Sequence, residues 1–141
     1  MSIGVNISTR SFFDRTRVLK SIDRAQRRVL SRAGAFVRTR ARSSIRRRKS
    51  ISKPGRPPTN QTGVLKKSIR FGYEERTESV VIGPSDNFGK RGSEVPSLLE
   101  FGGTAVRDGE RLTYKPRPFM GPALEKEAEN FPDLWRNSVS P

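Results

Sequence analysis

The side chains that carry most enzyme chemistry are missing from this sequence or scattered along it. With no histidine and no cysteine in 141 residues, it offers no imidazole base to a serine nucleophile, no thiolate and no disulfide. Serine and lysine adjoin only as chance neighbours. Two acidic sets, Glu74, Glu75, Glu78 and Glu125, Glu127, Glu129, are of the residue type that holds magnesium in nucleases. Both lie in stretches of alternating polar residues, the pattern of a solvent face. No glycine loop followed by Lys and Ser or Thr is present to cradle a phosphate. The expectation is a protein with no catalytic residues, no cofactor and no metal.

What the chain does concentrate is positive charge. Its net charge is +15, and residues 1–56 hold 17 Lys or Arg against Asp14 and Asp23, while residues 57–141 hold 12 basic and 12 acidic residues. The densest run is Arg46, Arg47, Arg48, Lys49, Lys53 and Arg56. A one-sided block of this kind suits a polyanion, either nucleic acid or an acidic protein surface. The competing reading is a solvated helix face followed by a basic loop. Between Thr16 and Gly63 the only aromatic is Phe36, so a nucleic acid bound there would be held without base stacking and without sequence preference.

A second cluster, Tyr114 to Leu124, combines rigidity with apolar side chains. Pro116, Pro118 and Pro122 restrict the backbone around Arg117, and Phe119, Met120 and Leu124 are apolar. A stiff segment with an apolar tip loses little entropy on docking. It serves equally as a proline-rich entry into a last helix that packs within its own subunit. The residues leave both readings open.

The elements that must position these residues form an α+β order. Apolar residues at Val18, Ile22, Ala25, Val29, Ala33, Phe36 or Val37, Ala41 and Ile45 recur at helical spacing, which predicts a long basic helix from about Thr16 to Arg47. Prolines and like charges predict an extended loop near residues 48–63. Residues 68–75 and 79–83 read as an antiparallel pair turning at 75–78. A polar loop near 84–94, a short helix Val95–Phe101 and a strand at 111–115 follow. The last helix is expected from Gly121 or Pro122, broken by Pro132. With 32% hydrophobic and 30% charged residues, residues 1–141 are expected to make one domain with a small core, around an antiparallel sheet of three to four strands. No run of about 18 apolar residues is present, and residues 1–10 have no apolar stretch of leader-peptide length. The expected setting is a cytoplasm or an assembled particle, with no membrane.

Three segments in register carry a resemblance. Thr62-Gly63-x-Leu65-x-x-Ser68-Ile69, then Leu99-Glu100-Phe101-Gly102-Gly103-Thr104, then Pro116-Arg117-Pro118-Phe119-Met120-Gly121-Pro122-Ala123-Leu124, all behind a long basic helix, resemble the tail-completion or neck proteins of long-tailed bacteriophages. The resemblance covers roughly residues 15 to 136. It implies a non-enzymatic virion subunit, assembled in the host cytoplasm, forming a ring, a hexamer, at the head–tail junction. Its partners would be copies of itself, the head-connector or stopper proteins and the tail-tube protein, with DNA passing through the channel. By the same resemblance Glu100, Gly102, Thr104, Pro118, Phe119 and Pro122 are expected as fold and assembly positions, and Pro116, Arg117 and Met120 of the stiff segment are added as interface candidates. The doubled Gly102-Gly103 departs from the family's single glycine. The alternative is a sequence-independent nucleic-acid-binding protein acting through its basic N-terminal region.

Overall fold

A computed structural model describes residues 14–85, 94–136 and 138–139. Most of the loop expected near 84–94 lies outside the described residues.

The periodic apolar stripe forms one helix, α1 (Arg15–Ser44). Asp14 caps it by accepting from the Arg17 N–H at 3.0 Å, which satisfies one of the free amides of the first turn. Ala25, Val29, Ala33, Val37 and Ala41 are its buried ridge, every fourth residue on one face. The stripe is not buried throughout: Val18, Leu19, Ile22 and Phe36 are exposed. The helix stops at Ser44 rather than at Arg47. Ser43 and Ser44 donate their hydroxyls to the carbonyls of Arg40 and Ala41, and Ile45 turns into extended conformation with its side chain fully buried. A hydrophobic anchor therefore ends the helix before the basic run begins.

Val64 and Leu65, expected to lead straight into a strand, instead form a short helix, α2 (Val64–Ser68). Gly63 precedes it at φ 86° and donates its N–H to Asn60 Oδ1 at 2.7 Å. A left-handed residue there is compatible with glycine at no steric cost. Strands β1 (Ile69–Glu74) and β2 (Ser79–Pro84) then pair antiparallel, from Ile69 opposite Pro84 to Glu74 opposite Ser79. Helix α1 lies across both strands. Its Arg38 Nε donates to the Ile69 carbonyl at 3.1 Å.

After α3 (Val95–Phe101) the chain forms a second hairpin, β3 (Gly103–Arg107) and β4 (Glu110–Tyr114). Its turn, Asp108-Gly109, has positive φ at both residues, 52° and 84°, the two-residue turn whose twist matches the flanking strands. The single sheet of three to four strands is thus corrected to two separate two-stranded sheets. Gly102 at φ 74° and Gly103 at φ 139° redirect the chain after α3, so the strand expected at 111–115 pairs with its own hairpin mate instead of joining β1 or β2. The last helix is split into α4 (Gly121–Ala128) and α5 (Phe131–Trp135), with Pro132 in the first turn of α5, where its missing N–H is harmless.

The core lies between α1, the β1–β2 hairpin and α4. Val37, Ala41, Ile45, Leu65, Ile69, Phe119 and Ala123 form it, with Ile82, Leu99, Met120 and Phe131 packed at its border. Glu127 is not on a solvent face, as its acidic neighbours suggested. It is buried and accepts from Arg40 Nε of α1, an ion pair that fixes α4 against α1. A buried carboxylate needs such a partner. The other acidic set stays at the surface, where Glu75 pairs with Arg27 at 2.9 Å. No described helix is long and apolar enough to cross a membrane.

Gly34 has a role that helix propensity does not reveal. A Cβ added there would lie 2.7 Å from Val80 Cγ2 and 3.0 Å from Phe71 Cδ2, so this glycine sets how closely α1 approaches the hairpin. Alanine would add about 1 kcal/mol of helix propensity against about 1–3 kcal/mol of overpacking on a stiff β-branched neighbour. Gly34→Ala is expected to lower stability by about 1 kcal/mol; a urea titration checks this, and a gain in stability would mean that the sheet moves away freely.

Candidate functional site

Two of the segments that stood out in the sequence meet at one carboxylate. Glu100, in the last turn of α3, points at the entry of α4. Its Oε2 accepts from the Phe119 N–H at 2.8 Å and the Met120 N–H at 3.0 Å, and its Oε1 from the Gly121 N–H at 2.8 Å. These are free donors at a helix start, where the aligned peptide dipoles also favour a negative charge. Met120, at the N-cap position, supplies no side-chain cap. Glu100 fills that role from another element, across about 20 residues of sequence.

The glycines beside it make the approach possible. A Cβ on Gly121 would come within 3.1 Å of Glu100 Oε1, and one on Gly102 within 2.9 Å of the Tyr114 carbonyl and 3.0 Å of Pro116 Cδ. The Gly102 N–H closes α3 by donating to the Leu98 carbonyl at 2.9 Å. Arg117 adds a second tie, with its N–H donating to the Leu99 carbonyl at 2.6 Å and its Nε to the Ser52 carbonyl at 2.9 Å. The Gly55 N–H donates to the Pro116 carbonyl at 2.8 Å. The proline-rich segment is therefore strapped between α3 and the basic loop.

This geometry sorts the expected assembly positions. Phe119, expected as an apolar tip for a neighbour, is 1% exposed and is the largest fully buried side chain of the core. Its N–H is held by Glu100 while its ring packs in the core with Ile45, Ile69 and Ala123. Glu100, Gly102, Pro116 and Arg117 hold the clamp and its strap. Thr104 stands in β3 opposite Thr113. The most exposed large apolar side chain among the described residues is Phe101, 79% exposed at the foot of the β3–β4 hairpin. Beside it Met120, Leu124 and Trp135 border an apolar groove of about 440 Å³ floored by Val29, Ala33 and Val37.

The basic run forms an ordered cleft rather than a free loop. Arg46 and Thr59 make a parallel bridge, closed by the Asn60 N–H donating to the Arg46 carbonyl at 3.0 Å. Thr59 Oγ1 donates to the Ser50 carbonyl at 2.8 Å and Gln61 Nε2 to the Lys49 carbonyl at 3.1 Å. The open cleft, about 580 Å³, brings together Arg46, Arg48, Lys53 and Arg56 with no acidic side chain in its wall. Arg47 and Lys49 of the same run are exposed and are not among the residues that line it.

Comparison of the chain with protein-family models, with curated proteins and with solved structures returned no match.

Two substitutions distinguish clamp from core. In Glu100→Gln an amide NH₂ replaces one of the two accepting oxygens and faces an N–H donor, so a loss of about 2–3 kcal/mol is expected in denaturant unfolding. Phe119→Ala should cost about 3–5 kcal/mol and broaden the unfolding transition. A Phe119→Ala protein as stable as the parent would return this residue to an interface role.

Proposed function

We propose that this chain is a structural subunit of a long-tailed phage virion, a tail-completion or neck component that forms a ring at the head–tail junction and joins the head connector to the tail tube. The observation that carries the reading is the β3–β4 hairpin. It makes its extensive contacts only within itself, and both faces are exposed, with Val106 71% accessible. A lone two-stranded hairpin is marginal in water, and its outer edges carry unpaired N–H and C=O groups that accept a further strand. Such an arm suits a protein whose remaining partners are on other chains.

Two further features support it. Exposed Phe101 at the hairpin foot and the groove bordered by Met120, Leu124 and Trp135 form apolar surface of the kind that protein interfaces cover. The three segments behind the phage resemblance are also physically coupled: Leu65 and Ile69 of the first share the core with Phe119 of the third, and Glu100 of the second caps the helix that the third begins. In this reading Glu100, Gly102 and Pro116 to Met120 shape the subunit, and the hairpin with Phe101 meets its neighbours. The protein then has no substrate and no cofactor. Its place is the virion neck, with the tail-completion position favoured by the motif resemblance over the stopper and the adaptor.

The test is the mass of the purified protein in solution, alone and with neck and tail-tube proteins, followed by particle imaging of any large species. Rings or capped tubes are expected, hexameric by the resemblance; a monomer indifferent to those partners would overturn the reading. Val106→Asp and Phe101→Ser, both at exposed positions, are expected to keep the melting temperature within a few degrees while abolishing ring formation or tail capping.

A further inference from the structure

We propose that the cleft between the end of α1 and the 50–59 loop is a binding site for the phosphodiester backbone of duplex nucleic acid, occupied without regard to sequence. The inference does not rest on the ring reading, because the site is complete within one chain.

Four cations converge on this cleft, from both of its walls: Arg46 and Arg48 just beyond the helix, Lys53 and Arg56 across the turn. All four are exposed, and none has an acidic partner within salt-bridge distance among the described residues. Four like charges held together without counter-charge repel one another and cost stability. An ordered backbone maintains that arrangement here: the Arg46–Thr59 bridge, the Thr59–Ser50 and Gln61–Lys49 bonds, and the Arg117 strap on Ser52. The wall adds the exposed Ser50 hydroxyl as a further donor.

The chemistry of the lining selects the ligand. Guanidinium forks and hydroxyls are donors to phosphate oxygens. No aromatic side chain lines the cleft, so it lacks the stacking surface with which proteins hold unpaired bases. It also has no carboxylate or amide of the kind that reads cytosine or adenine edges. A continuous polyanion whose bases are already stacked within a duplex fits both facts. An acidic protein segment would satisfy the charges equally well, and is the competitor in the test.

The experiment is fluorescence anisotropy of the full-length protein with a short, random-sequence DNA duplex over a range of salt concentrations. Binding that weakens steeply with salt is expected, and the combined Arg46→Gln, Arg48→Gln, Lys53→Gln, Arg56→Gln variant should bind at least tenfold more weakly, with the log–log salt slope smaller by about 3–4. The comparison variant removes four cations from the exposed face of α1, by Lys20→Gln, Arg24→Gln, Arg28→Gln and Arg32→Gln. It should retain most of the affinity; an equal loss would mean that net charge alone attracts DNA, and the cleft proposal falls. Thermal melts of both variants confirm that the fold is kept. Polyglutamate that displaces the duplex at equal charge concentration would overturn the nucleic-acid assignment in favour of an acidic protein partner, and a single strand bound tighter than the duplex would overturn the duplex assignment.

Discussion

The structure hinges on one carboxylate with two jobs. Glu100 ends α3 and begins α4, taking three backbone amides that no other side chain satisfies. A helix start left uncapped beside a core exposes donors that must be paired or solvated. Pairing them with a residue from a distant element converts a local need into a tertiary contact. Once Met120 and Gly121 are fixed, the chain before them has no freedom, and Phe119 enters the core beside Ile45 and Ile69. The glycines at 102 and 121 are the corollary, because a side chain at either would occupy the space of the carboxylate or of the Tyr114–Pro116 backbone.

Around that clamp the molecule divides into a part that is satisfied and a part that is not. Helix α1, the β1–β2 hairpin and α4 bury small and branched side chains against one another, and Arg40 neutralises the one acidic side chain buried in that contact. Outside it the β3–β4 hairpin, Phe101 and the first turns of α1 keep apolar surface in solvent. The basic cleft is set apart again. It is ordered by hydrogen bonds to its backbone carbonyls, several of them from side chains, so its cations stay at the surface while its shape is kept.

How much of this was legible in the sequence depends on the range of the interaction. The helix α1 was readable because its apolar spacing is a local signal, and so was the β1–β2 turn between a strand with Ile69, Phe71 and Tyr73 and the run Val80-Val81-Ile82. Strand β3 was not: Gly102-Gly103 reads as a terminator, and the fact that the same glycines also launch a strand depends on the φ values they adopt. The existence of two sheets instead of one was equally hidden, since strand pairing is decided by tertiary geometry. Phe119 illustrates the same limit at the site. Rigid prolines around an aromatic ring are compatible with a protruding tip and with a core plug, and only the Glu100 hydrogen bonds, between residues about 20 apart in sequence, decide between them. Arg117 was singled out with its segment, but its attachment to the Ser52 carbonyl has no sequence signature. Glu127 looked like its solvated neighbours because nothing in its own stretch announces Arg40, far earlier in the chain.

The Asp108-Gly109 turn has a consequence in time as well as in shape. Every contact that closes the β3–β4 hairpin is made between residues at most a dozen apart, and such hairpins form in about 1–10 μs. The clamp and the strap must bring together segments separated by tens of residues, which imposes a larger loop-closure entropy. The pairing of β3 with β4 therefore closes on a shorter timescale than the clamp and the strap, and, being marginal on its own, persists once the body that carries it has formed. Its strand edge is the earliest backbone template that the folding chain offers to another strand.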